Sequence, residues 1–178
     1  MTKNELFLKT LFCCMTCDGD IAEEEKCLFK KKVDEHPEYF EEMLVDDYLH
    51  KWIDLINAEG FVFLNGYLSE IDSCNLDKEE ELILAELALE MIAADDIIKF
   101  SEVKYFKKIR KHLYKVTDDD ILENFPDDFP VEPPNGAPKE DFFAPDFYTG
   151  EEEKWNVTFD YVSLNLKIDE SIVEEKKE

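Results

Sequence analysis

An apolar helical run, a tight acidic turn, an inward-facing isoleucine and a charged helix follow one another twice in this chain. In the first copy Leu11-Phe12-Cys13-Cys14-Met15 leads to Asp18-Gly19-Asp20-Ile21, then Glu25, then Leu28-Phe29-Lys30-Lys31. In the second, Ala88-Leu89-Glu90-Met91-Ile92 leads to Asp95-Asp96-Ile97-Ile98, then Glu102, then Tyr105-Phe106-Lys107-Lys108. The offset of 77 residues, from Asp18 to Asp95, is too long for a solenoid repeat, and only two copies are visible. Two related helical hairpins packed in one domain fit this pattern, so the expected fold is an all-α, pseudo-symmetric bundle of about six or seven helices.

At 178 residues the chain is long enough to bury one sizeable core. Its net charge of −25 sets it apart from an average domain. A polyanion lacks the Lys and Arg excess that releases counterions from phosphates, which argues against nucleic acid and against anionic membranes. Cations and basic proteins are the favoured partners. No apolar stretch approaches the roughly 20 residues of a membrane span, and Met1-Thr2-Lys3-Asn4 opens an amphipathic segment, so a cytoplasmic protein is expected. The five cysteines are expected to be reduced. Cys14 and Cys17 have the spacing of a redox or zinc half-site, but no second such pair follows, and small core residues are the simpler reading.

Helical spacing predicts a first helix over 4–17 and a second from about Ala22 to Val33, with Glu23, Glu24 and Glu25 favouring its N-terminus. Pro37 opens a third, through Leu44, Tyr48, Trp52 and Ile56. The stretch from Phe61 to Leu68 is helix or strand by periodicity alone; its helical context favours a helix to about Ser73. Asp77-x-x-Glu80 reads as a capping box before a long apolar-striped helix. Ser101 is the expected cap of the helix carrying Val103, Phe106, Ile109 and Leu113, with Phe100 stapled onto Tyr105.

A domain boundary is expected near residue 116, dividing a helical domain, 1–116, from an acidic Pro/Phe-rich extension, 117–178. That second part holds 19 acidic and 5 basic residues, more than half of the net charge. No helix is expected after Asp118-Asp119-Asp120, and the aromatic residues of the stretch suggest that it lies along the helical body. Beyond Gly150, Trp155, Val157, Phe159 and Tyr161 alternate with polar residues, and Val162, Leu164, Leu166 and Ile168 alternate on the other parity. One bent strand or two short strands near 155–168 are predicted, paired within the chain or across a homodimer.

Asp-Gly-x-Ile-x-x-x-Glu is also the second half of an EF-hand loop, yet the first half is missing. The first and third ligand positions hold Cys14 and Thr16 in one copy and Met91 and Ala93 in the other. Neither loop supplies the roughly six to eight oxygens that calcium takes. Paired about a pseudo-twofold axis, Asp18, Glu25, Asp95 and Glu102 would meet, with Asp20 and Asp96 at the rim; such charges repel unless a cation or protons neutralise them. The alternative is that each Asp caps the following helix and each Glu serves its first turn.

With these turns and the helices around them, residues 1–115 or so resemble the TerB-like tellurite-resistance family. The resemblance implies about seven helices with internal pseudo-symmetry and a divalent-cation site (Ca²⁺, Mg²⁺ or Mn²⁺) at Asp18 and Glu25 with Asp95 and Glu102. Copy two departs from the pattern in placing Asp96 where copy one has Gly19. No phosphate loop, nucleophile elbow, His-Glu-x-x-His or Ser/His/Asp set is present, and a non-catalytic role is expected. Two roles stay open: a cation-binding component of a stress or tellurite-resistance assembly, or a metal-free acidic module of immunity or inhibitor type that neutralises a basic protein.

Overall fold

The two helices that precede the acidic turns, α1 (Lys3–Thr16) and α6 (Lys78–Ile92), pack against each other at the centre of the molecule. The computed structural model describes residues 1–95, 98–124 and 155–166. Around the central pair lie α2 (Glu23–Glu35), α3 (Pro37–Phe40), α4 (Val45–Glu59), α5 (Phe61–Cys74), α7 (Phe100–Arg110), α8 (Asp118–Glu123) and α9 (Tyr161–Leu164). With α1 and α6 counted, six of the helices run from 11 to 15 residues, and the all-α expectation holds for the described residues. None of their helices is long and apolar enough to cross a membrane.

α1 is buried without a break from Leu6 to Thr16, which its composition permits because its polar members find partners inside. Thr10 and Thr16 donate to the carbonyls four residues back, Leu6 and Phe12, at 2.8 and 2.9 Å. Lys9, only 5% exposed, pairs with Glu70 at 2.8 Å and lies 4.7 Å from the centroid of the Phe63 ring. Both central helices begin with the predicted kind of box: Thr2 with Glu5, and Asp77 with Glu80.

The duplication read from the sequence is reproduced in the burial. At the 77-residue offset, Met15 and Ile92, Ile21 and Ile98, Glu25 and Glu102, and Phe29 and Phe106 are buried in pairs. α2 follows α1 as α7 follows α6, and each packs on its predecessor.

Four local expectations are corrected. The helix opened by Pro37 is broken: α3 stops at Phe40 and α4 starts at Val45. A continuous helix would align Leu44 with Tyr48 and Trp52, but the buried stripe is Val45, Leu49, Trp52, Ile53 and Ile56, and Leu44 is 70% exposed. Ser101 does not cap α7; Lys99 is the N-cap, and Phe100 is exposed rather than stapled. A short α8 forms where none was expected, because Thr117 and Asp120 cap each other at 3.1 and 2.8 Å and Ile121 enters the core.

The strand expected near 155–168 is absent from residues 155–166, which run extended to Asp160 and then turn into α9. The alternation was real, but the extended stretch lies on α4 and α5 rather than on another strand. Ile121, Phe159 and Leu166 join the same core as the helical body. The Pro/Phe-rich stretch 125–154 and the residues after 166 lie outside the described part.

Candidate functional site

The first acidic turn is shaped by its own local hydrogen bonds. Gly19 N–H donates to Thr16 O at 3.0 Å, and Gly19 adopts φ +81°, where a side chain is disfavoured. Asp18 Oδ1 accepts from Asp20 N–H, and Asp20 Oδ1 from Ile21 N–H, both at 3.0 Å. Ala22 then caps α2 without a side-chain oxygen. Glu25, in the third helical position, reaches back and accepts the Ala22 N–H at 2.8 Å. The second copy repeats this: Glu102 accepts the N–H of Lys99, another cap without an acceptor, at 2.8 Å. The capping role weighed for the two glutamates is therefore present in both copies.

The turns also converge. Glu25 and Glu102 are 2% and 1% exposed. Burial, and then the charges of Asp18, Glu102 and Asp95, push the Glu25 carboxyl up to about 9. Burial, with Asp18 and Asp95, pushes Glu102 up to about 8 against the opposing charge of Lys99. Four of the six expected residues thus lie in one electrostatic neighbourhood. Asp20 stays at the rim, its side chain 79% exposed, and Asp96 lies outside the described residues.

Lys99 was not singled out by sequence reasoning, although it is the one basic residue between Asp95 and Glu102. It projects from the second copy to the first, with Nζ 2.7 Å from Asp18 Oδ2 and 4.0 Å from Asp20 Oδ2. The hydrogen bond to Asp18 and the nearby carboxylates raise the Lys99 pKa, keeping it an ammonium.

The donors do not fit a divalent cation as they stand. Both glutamates spend an oxygen on a backbone N–H, and the two oxygens of Asp18 go to Asp20 N–H and Lys99. No group of three or more His, Cys, Asp or Glu among the described residues is placed to hold a metal ion. Cys14 and Cys17 border the site as buried free thiols; Cys17 Sγ donates to Cys14 O at 3.3 Å, and burial raises both far above the ordinary thiol range.

Two further polar residues escaped the sequence reading. Glu81, 4% exposed, accepts the N–H groups of Tyr114, Lys115 and Val116 at 3.1, 2.7 and 3.1 Å and fixes the chain after α7. Asn57 holds the extended C-terminal segment. That segment also reaches the first acidic turn, where Trp155, Asn156 and Val157 wall a pocket of about 380 Å³ with Cys17, Asp18 and Gly19 opposite. Neither residue carried a local signal, since each acts on chain more than 30 positions away. Compared with family models, with curated proteins and with solved structures, the chain finds a match in none of the three.

Proposed function

We propose that this chain is a non-catalytic, TerB-like helical module that binds a basic protein partner through its acidic surface. In this reading the paired acidic turns are a metal-free joint, and Lys99 stands where the resemblance implies a cation. The placement of the charge carries the proposal. The sequence has 45 acidic residues against 20 Lys and Arg. Among the described residues only Glu25, Glu81 and Glu102 are buried acids, and each accepts backbone N–H groups. Apart from Asp18, whose side chain is sheltered against Lys99, the remaining described acids lie at least partly at the surface, where they repel phosphates and steer cationic partners.

The test is capture from cell extract on the immobilised full chain, at about 50 mM and about 500 mM salt. High-pI proteins are expected at low salt, released at high salt and indifferent to a chelator. A partner that resists salt but leaves with chelator would support the cation reading instead. Recovery no different from that on an equally acidic control protein removes the proposal.

A further inference from the structure

Segment 155–166 meets the helical body as a bound peptide meets its receptor. Over 155–161, Trp155, Val157, Phe159 and Tyr161 are partly or fully buried, while Asn156, Thr158 and Asp160 are exposed. Among the described residues, the main chain of 155–159 has no backbone partner. One side chain of α4 reads it instead. Asn57 Nδ2 donates to Phe159 O at 2.7 Å, and Phe159 N–H donates to Asn57 Oδ1 at 2.7 Å. A carboxamide that bonds both groups of one residue replaces a neighbouring strand; main-chain bonds then hold the segment, and seats for alternate side chains select it.

The seat follows one stripe of α4, in which Asp46, His50, Ile53 and Asn57 recur at helical spacing. Tyr161 Oη donates to Asp46 Oδ1 at 2.7 Å, and its ring centroid lies 3.6 Å from that of His50. Where α4 ends, Gly60 at φ +57° leaves a slot for Trp155: a Cβ there would stand 2.6 Å from the Trp155 side chain. At the first acidic turn, a Cβ on Gly19 would stand 2.9 Å from Val157 Cγ2. The segment thus spans from the N-terminal end of α4 to the acidic turn.

The resident is anchored along one face only. Of its twelve residues Phe159 and Leu166 are buried, Trp155, Val157, Tyr161 and Leu164 pack partly buried against the core, and the other six are exposed. Trp155 Nε1 is buried without a hydrogen-bond partner among the described residues, which counts against its present seat. Thirty residues of sequence, 125–154, join it to the rest of the chain.

We propose that the α4 stripe, Gly60 and the Gly19 turn form a groove for an extended peptide of the pattern Trp-x-Val-x-Phe-x-Tyr, with residues 155–161 of the same molecule as its exchangeable ligand. Release of the segment uncovers the acidic turn and removes one wall of the pocket beside it. The proposal stands apart from the acidic-surface reading, because the groove recognises main chain and aromatic side chains rather than positive charge.

The experiment uses the full chain carrying Trp155→Ala and Phe159→Ala, which weaken the resident, and a fluorescent synthetic peptide of residues 155–166. Saturable binding is expected, about tenfold tighter than to the unmodified chain and about tenfold weaker once Asn57→Ala is added. A peptide that fails to bind, or that ignores Asn57→Ala, overturns the proposal. A second measurement needs no variant: excess unlabelled peptide added to the isotopically labelled full chain should strip hydrogen-exchange protection from the Phe159 amide and spare α1 and α6. Protection at Phe159 that matches α1 and persists under excess peptide also overturns it. So does a dilution-dependent dimer in which a second copy supplies the segment.

Discussion

Lys99 Nζ lies 2.7 Å from Asp18 Oδ2, so the residue that caps the last long helix of one repeat neutralises the turn of the other. The Asp18 side chain is 5% exposed and the Lys99 side chain 39%. The contact therefore joins a sheltered carboxylate to a cation that water still reaches. Two halves that meet chiefly through apolar surface acquire a specific polar register there.

Lys99→Met is expected to destabilise the fold by about 1 kcal/mol, the modest figure reflecting solvent around the lysine, as read from urea midpoints. The same variant removes the internal cation. Calorimetric titration with Ca²⁺, Mg²⁺ and Mn²⁺ should give no binding heat with the parent chain and weak binding with the variant. Binding by the parent would sink the metal-free joint.

Glu25 and Glu102 make stability depend on pH with a definite sign. Their folded values, about 9 and about 8, lie above the ordinary glutamate value of 4.5. The native state then holds protons that the unfolded chain has lost, so stability falls as pH climbs from about 4.5 towards about 9. Gln keeps an acceptor for the N-cap N–H and cannot ionise. Glu25→Gln/Glu102→Gln should flatten the decline in Tm between pH 6 and pH 9; a slope equal to that of the parent would refute the assignment.

Glu81 holds three consecutive N–H groups in a buried place. Glu81→Ala leaves them without their acceptor and is expected to cost about 3 kcal/mol, with Glu81→Gln recovering part. Chemical denaturation gives the magnitude. Exchange at the amides of 114–116 tells whether the loss is local.

Gly60→Ala and Gly19→Ala test the two slots under the C-terminal segment. Each forces a side chain into positive φ, at about 1–2 kcal/mol, and into Trp155 or Val157. Both should lower Tm. Gly60→Ala should in addition free the Phe159 amide, and full protection there would show that Trp155 does not depend on the slot.

The helices and their duplication were legible in the residues because each follows from nearby chain. The Asp77–Glu80 box, Gly19 and the 77-residue spacing of Glu25 and Glu102 act within a few positions or repeat in register. The broken helix at 41–44 was not legible: Leu44 and Val45 are both apolar, and only the surface available for packing chose which one to bury. The strand pattern over 155–161 misled for a related reason. Alternation reports an extended chain with one covered face, and it does not say whether a strand or the Asn57 carboxamide takes up the backbone.

By itself the sequence determined an all-α body built on two related hairpins, a strongly acidic surface and two carboxylate-bearing turns, since periodicity, capping chemistry and charge are local or additive properties. Tertiary structure decided what the turns hold. Lys99 and Asp18 are 81 positions apart and meet only because α1 packs on α6, placing a lysine where spacing alone left a vacancy for a cation. Electrostatic neutralisation depends on distance in space, and no pattern along the chain records it.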